Sequence, residues 1–98
     1  MSELTWYYKE WKQWNDNGRP SSHIINLTEL LLRNNHLTQI DVSNLTNLTI
    51  LYLHNNLLTQ IDVSNLSNLT HLYLNYNQLT QINISNLTNL VKLYIGDN

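Results

Sequence analysis

The sequence predicts a single α/β solenoid, in which short parallel strands form a concave sheet and extended or 3₁₀ segments form the convex side. Three observations support this prediction. The chain repeats every 21 residues from Leu27 onward, each repeat carries apolar residues at alternate positions over a short stretch, and residues 1–20 follow helical spacing instead. At 98 residues the chain has room for one domain.

Leucines and asparagines occupy fixed positions in the repeat. The equivalent residues of the four copies are Leu27, Leu48, Leu69 and Leu90; Leu30, Leu51, Leu72 and Leu93; Leu32, Leu53, Leu74 and Ile95; and Asn35, Asn56, Asn77 and Asn98. We assign residues 21–98 to the solenoid, as a partial coil, three full repeats and a final strand. The remaining residues, 1–20, form an N-terminal capping helix and turn.

Each repeated position has a physical reason. Leucines at alternate positions face one side of a strand, and a single strand cannot bury that face alone, so stacked copies bury it together. The asparagine follows the strand, where its side chain can bond backbone groups of adjacent coils that would otherwise be buried unpaired. The return segment is too short for a long helix, so we expect extended or 3₁₀ structure there.

The pattern L-x-x-L-x-L-x-x-N-x-L is complete at 27–37, 48–58 and 69–79. It resembles the signature of the leucine-rich-repeat family, and the 21-residue length is similar to that of bacterial members. The resemblance covers 27–98 and implies a horseshoe segment with a concave parallel β-sheet. It is specific for the fold and says little about function.

The N-terminal segment follows helical spacing. We predict an amphipathic helix over residues 3–15, with Ser2 as its N-cap, Glu3 in its first turn and a stop signal at 17–20. Its apolar face would consist of Leu4, Tyr7, Tyr8, Trp11 and Trp14. We expect this face to cover the first coil, because solenoid ends need caps. The tryptophans could instead anchor a membrane surface, but only two lysines accompany them.

The aromatic segment at 6–14 is also similar to the helix that precedes the repeats in secreted bacterial leucine-rich-repeat effectors of the ubiquitin-ligase type. The shared residues are Tyr7, Tyr8, Trp11 and Trp14. The sequence departs from that class because it has no second cap helix, no Leu-Pro-rich repeat and no catalytic cysteine. We therefore expect no ligase activity, and no enzymatic activity of another kind.

Composition narrows the classes of partner. The net charge is −2, without the basic patch that a nucleic-acid binder carries. No apolar run approaches the roughly 18 residues that span a bilayer, and the N-terminus does not resemble a signal peptide. The absence of cysteine fits a reducing compartment. We expect a cytoplasmic protein without cofactor, nucleic-acid or membrane partners, although secretion as an effector without a classical signal peptide remains open.

The solvent-facing strand positions form three columns across the predicted sheet. They are Glu29, Ile50, His71 and Lys92; Leu31, Tyr52, Tyr73 and Tyr94; and Arg33, His54, Asn75 and Gly96. Since neighbouring strands lie about 4.8 Å apart, the second column is a continuous apolar and aromatic stripe. We predict that a protein partner binds there, through Leu31, Tyr52, Tyr73, Tyr94, Arg33, His54, His71 and the adjacent Tyr76.

Two other interpretations of the stripe remain. Stacked tyrosines can stabilise neighbouring strands without binding anything. Carbohydrate binding is a third interpretation, but the stripe lacks surrounding carboxylates and amides.

Several apparent motifs carry no functional prediction. Asn-x-Ser/Thr triplets begin at Asn26, Asn44, Asn47, Asn65, Asn68, Asn83 and Asn86, and their middle residue is always a core Leu or Ile, so the repeat itself explains them. The histidines are scattered, and His54 and His71 lie about 13 Å apart by strand spacing, too far to share a metal ion. Asp41 and Asp62 are predicted to form turns.

The sequence ends at Asn98, directly after the fourth strand. We expect Leu90, Leu93 and Ile95 to face outward there, beside a strand edge that could pair with another chain. A fragment of a longer protein, a homodimer and a different covering partner are three explanations. The alternative to the binding module is therefore a self-assembling component or homodimer formed through this terminal repeat.

Overall fold

A computed structural model describes residues 4–98 of the chain. Strand β1 (Leu4–Trp6) precedes helix α1 (Tyr8–Asp16) and a 3₁₀ turn (Ser21–His23). The repeats contribute four further strands, β2 (Leu27–Leu31), β3 (Ile50–Tyr52), β4 (His71–Tyr73) and β5 (Lys92–Tyr94). The predicted Ser2 N-cap and Glu3 lie outside the described residues.

The five strands form one parallel sheet in the order of the sequence. Leu30 pairs with Leu51, Leu51 with Leu72 and Leu72 with Leu93, so the register advances by one repeat at each step. Equivalent residues of successive repeats therefore lie side by side. The predicted α/β solenoid with a concave parallel sheet is confirmed.

The repeated leucines form the core. Each full coil contributes side chains that are almost completely buried, among them Leu30, Leu32, Leu51, Leu53, Leu72 and Leu74. Burying a leucine side chain stabilises the fold by roughly 1.5–3 kcal/mol, so this column is the main source of stability.

The repeated asparagines form a buried hydrogen-bonded ladder, as predicted. Asn56 Oδ1 accepts bonds from the backbone N–H groups of Asn35 and Leu37, both at 3.0 Å. Its Nδ2 donates to the carbonyl oxygens of Leu32 and Leu53, also at 3.0 Å. Asn77 repeats the arrangement one coil later, with Leu58 N–H donating to its Oδ1. Asn56, Asn77 and Asn98 thus supply partners to their own coil and to the preceding one, whereas the Asn35 side chain bonds only Arg33 of its own coil.

The convex side consists of tight turns. Leu45 N–H donates to the Val42 carbonyl and Leu48 N–H to the Leu45 carbonyl, which is the i→i+3 pattern of 3₁₀ structure. Asp41 Oδ1 accepts bonds from the backbone N–H and hydroxyl of Ser43, at 2.9 and 2.6 Å. Asp62 makes the same pair of bonds to its own serine, two residues later. These contacts confirm the predicted turn-forming role of both aspartates.

Some asparagines of the Asn-x-Ser/Thr triplets have structural roles that the sequence did not predict. The Asn47 side chain donates to the Ile25 carbonyl at 2.7 Å, and that of Asn68 donates to the Thr46 carbonyl at 3.1 Å. Both bonds join a coil to the one before it on the convex side. A second ladder thus runs along the face opposite the sheet.

The predicted helix over residues 3–15 is wrong at its start. Residues 4–6 form β1, which pairs with β2, because the open edge of β2 offers backbone groups that a strand satisfies and a helix does not. The inward residue is therefore Trp6, whereas Leu4 and Tyr7 of the predicted apolar face are exposed. Helix α1 begins at Tyr8. The Glu10 carboxylate, in the first turn of the helix, accepts a hydrogen bond from the N–H of the capping residue Tyr7 at 3.0 Å.

Three tryptophans join the cap to the leucine core. Trp6, Trp11 and Trp14 belong to the same buried cluster as Leu27 and the other core leucines. The rings of Trp6 and Trp14 lie 5.5 Å apart, and Trp14 Nε1 donates to the Pro20 carbonyl at 3.0 Å. Within residues 4–98, no helix has the length and apolar character required to cross a membrane.

Candidate binding surface on the concave sheet

The second column of the sheet is a stack of aromatic rings. Tyr52 and Tyr73 are 4.2 Å apart between ring centroids and nearly parallel, at 13°. Tyr73 and Tyr94 follow at 4.5 Å and 33°. The parallel register aligns Leu31 with Tyr52, so an aliphatic side chain continues the column. The structure brings these four predicted residues together. We call them the tyrosine column.

Burial affects the first ring of the stack. It raises the pKa of the Tyr52 hydroxyl, and the neighbouring Tyr73 raises that pKa further. The group therefore stays protonated at neutral pH and can donate a hydrogen bond. Tyr94 at the other end is 48% exposed.

His54 lies against the stack from the third column. Its ring centroid is 5.7 Å from those of both Tyr52 and Tyr73. Burial lowers the pKa of His54, and the positive charge of Arg33 lowers it further, so the imidazole is neutral at pH 7. Its Nδ1 and the Oδ1 of Asn75 are buried without a hydrogen-bond partner among the described residues.

The first column is more polar. The Thr5 hydroxyl of β1 donates to Glu29 Oε1 at 3.1 Å. His71 Nδ1 lies 2.9 Å from the Thr70 hydroxyl, and Lys92 is exposed. Within residues 4–98, neither Lys92 nor Arg33 forms an ion pair. Two free cations therefore lie at opposite corners of the surface.

Tyr76 differs from the tyrosine column in backbone and environment. It is 55% exposed and makes no ring contact with the column. Its φ of 59° is left-handed, as are the φ angles at the equivalent Asn34, Asn55 and Asp97. Asparagine and aspartate tolerate this conformation, whereas it is strained for a bulky residue such as tyrosine. Sequence reasoning missed this column, although the asparagines and aspartate at the shared position were a signal for it.

The predicted oligomer edge is only partly exposed. Leu90 and Leu93 pack against the core as half-buried residues, while Ile95 is exposed. Val91, which the sequence analysis did not select, is 74% exposed. Within the described residues, β5 pairs with β4 alone.

The repeats match two models of leucine-rich repeats. One, which spans two copies, matches residues 25–66, and a single-repeat model matches residues 68–90. A search of curated proteins finds no match.

Among solved structures, the chain is similar to internalin C2 from Listeria monocytogenes, with 26% sequence identity and a TM-score of 0.47. The similar region covers 70% of this chain and 42% of the internalin chain, so this chain spans less than half the length of that protein. The repeat pattern, the one-repeat register of the sheet and the two matching models lead to one conclusion: the chain belongs to the leucine-rich-repeat family.

Proposed function

We propose that this chain is a non-catalytic protein-binding module whose contact surface is the tyrosine column. Leucine-rich repeats generally mediate protein–protein interaction, and they do so as binding domains without catalysis. The observation that supports the location is the unbroken stack from Tyr52 to Tyr94, with centroid spacings of 4.2 and 4.5 Å. Such a stack presents a preordered aromatic surface, so the tyrosines themselves lose little side-chain entropy when a partner binds.

The surroundings of the stack also support a binding role. Tyrosine and arginine are enriched among the residues that contribute most to interface energy. Arg33 and Lys92 add free positive charge at two corners, while Glu29 is already held by Thr5. A partner with acidic residues around an apolar centre would complement this surface. Stacking that serves only to stabilise adjacent strands remains the competing explanation.

A double substitution tests the proposal. The chain carrying Tyr52→Ala and Tyr73→Ala should lose the proteins that the wild-type chain retains in quantitative affinity capture, because the centre of the contact surface is gone. Binding of each such protein, once purified, should weaken by about a hundredfold or more, as removal of two central tyrosines does at other interfaces. The measurement is the Kd by calorimetry, with circular dichroism to establish that the variant is folded.

A matched control uses the opposite side of the molecule. Ser67→Ala with Thr88→Ala removes two exposed side-chain hydroxyls at the same position of successive repeats, away from the sheet. This variant should retain every partner. If the tyrosine variant is folded and keeps all its partners with unchanged Kd, the stack is a scaffold feature and the proposed location is wrong.

A homodimer through the terminal repeat is a second candidate. The exposure of Val91, Tyr94 and Ile95 favours it, because exposed apolar side chains beside a strand edge promote association. Light scattering of the wild-type chain at tens of micromolar should then give the mass of a dimer, and Leu93→Lys should give that of a monomer. A monomeric wild-type chain would exclude this candidate.

A further inference from the structure

A cavity lies between the cap and the first two full coils, away from the tyrosine column. Its volume is about 790 Å³, within the range of small-molecule sites. Its lining combines cap residues with two successive copies of the same repeat positions: Trp11, Asn15 and Arg19 with Gln39, Ile40, Asp41, Gln60, Ile61 and Asp62.

Arg19 fixes the cap wall of this cavity. Its Nε donates to Asn15 Oδ1 at 2.7 Å, and its Nη2 donates to the backbone carbonyl of Asp41 at 2.9 Å. Its guanidinium carbon lies 4.7 Å from the centre of the Trp14 ring. The chain holds Arg19 at a left-handed φ of 59° to make these contacts. The Arg19 side of the cavity is therefore positioned before any ligand binds.

Several polar groups around the cavity have unused hydrogen-bonding capacity. Within residues 4–98, the side-chain amides of Gln39 and Gln60 are not engaged in the hydrogen bonds of the fold. Asp62 uses Oδ1 for its turn and leaves Oδ2 available. Donors and acceptors thus alternate with the apolar side chains of the two isoleucines.

We propose that this cavity is a second binding site, and that it takes a compact, neutral, polyhydroxylated ligand of the saccharide class. Each hydroxyl group both donates and accepts, which suits a lining of amides and carboxylates. The C–H faces of a sugar ring fit against Ile40 and Ile61.

Charge and size argue against other ligands. Two aspartates and one arginine give the lining a net negative charge, so an anion is disfavoured. The coils that contribute to the lining are two neighbours, about 4.8 Å apart in the sheet, which suits a ligand of one or two rings better than an extended peptide. The site shares no residue with the tyrosine column, so the proposal for either site can be wrong while the other is right.

The test uses the full chain labelled with ¹⁵N and three neutral disaccharides: cellobiose, maltose and N,N′-diacetylchitobiose. At least one should cause saturable shifts of the Trp11 indole signal and of the Gln39 and Gln60 side-chain amide signals. Backbone signals of Tyr52 and Tyr73 should not move. We expect a millimolar Kd, because the site offers only a few hydrogen bonds.

Two variants of one repeat position make the test specific. Gln60→Ala should weaken binding of the active disaccharide about tenfold, as expected when one hydrogen bond is lost. Gln81→Ala changes the equivalent residue one coil further on, which does not line the cavity, and should leave the Kd unchanged. Both residues are exposed, so both variants should fold.

Other results would overturn the proposal. They are the absence of saturable shifts with all three disaccharides, shifts centred on the tyrosine column, and equal weakening by Gln60→Ala and Gln81→Ala. Stronger binding at the cavity of a lysine-containing tripeptide than of any disaccharide would assign the site to a cationic peptide and also overturn the saccharide proposal.

Discussion

The coils and the cap bury apolar surface in different ways. The coils do so mainly with leucines at equivalent positions, and a repeating asparagine bonds backbone groups of adjacent coils. The cap has no such repetition. It uses three tryptophans, and its polar contacts, such as that of Trp14 with the Pro20 carbonyl, occur once. A repeat therefore distributes stability over equivalent positions, whereas a cap concentrates it in a few residues.

Substitution of Trp14 should have the largest effect. Trp14→Ala removes a 3% exposed ring and its bond to Pro20, which should lower the free energy of unfolding by about 4 kcal/mol. The measurement is urea denaturation followed by circular dichroism. Tyr7→Ala is the matched control, because Tyr7 is 59% exposed and its removal should change the free energy of unfolding little. Similar losses in both variants would mean that the cap does not concentrate its stability.

Asn56 tests the repeating contribution of the coils. Asn56→Ala removes the partner of two part-buried N–H groups and of the Leu32 carbonyl, whereas the Leu53 carbonyl keeps its bond from Asn77; the free energy of unfolding should fall by about 3 kcal/mol. Asn35→Ala should cost less than about 1 kcal/mol, because the Asn35 side chain donates only to the Arg33 carbonyl. Equal effects in urea denaturation would contradict the ladder as the reason for the repeated asparagine.

Tyr76 interrupts the equivalence of the coils. Tyr76→Asn should raise the free energy of unfolding by about 1 kcal/mol, because asparagine tolerates the left-handed backbone better. Asn55→Tyr, one coil earlier, should lower it by a similar amount. Thermal denaturation measures both. A destabilised Tyr76→Asn chain would show that the exposed ring makes a stabilising contribution that outweighs the backbone strain.

The smallest effect should be the pH dependence due to His54. Burial lowers its pKa in the folded chain, so the unfolded chain binds the proton more readily. Stability from this group is complete above its ordinary pKa of about 6.5 and is lost as the pH falls towards the lowered value. His54→Gln should flatten the dependence of Tm on pH in this window. An unchanged profile would mean that other groups control it.

The sequence predicted the coils well because their cause is periodic. The inward leucines, the asparagine ladder and the tyrosine column all follow from positions that recur every 21 residues. The cap was predicted less well, since Leu4, Tyr7 and Tyr8 also fit helical spacing and only pairing with β2 decides that residues 4–6 extend the sheet. The oligomer edge and the cytoplasmic location remain predictions.

The cavity beside the cap could not be predicted from spacing. One wall of the cavity consists of repeat positions that are visible in the sequence, namely Gln39 with Gln60 and Asp41 with Asp62. The other wall comes from Trp11 and Arg19, which belong to no repeat. Nothing in the local sequence indicates that Arg19 adopts a left-handed backbone and reaches Asp41. Such a site requires the packing of a non-repeating segment against a repeating one.

The asparagine ladder also gives the solenoid a direction. Asn56 satisfies Leu32, Asn35 and Leu37 of the coil before its own, and Asn77 does the same for Leu58 one coil later. A coil is therefore completed by its successor. During synthesis on a ribosome, each coil should become fully hydrogen-bonded only after the next asparagine has left the exit tunnel. Cotranslational folding should accordingly lag the growing end by about one repeat.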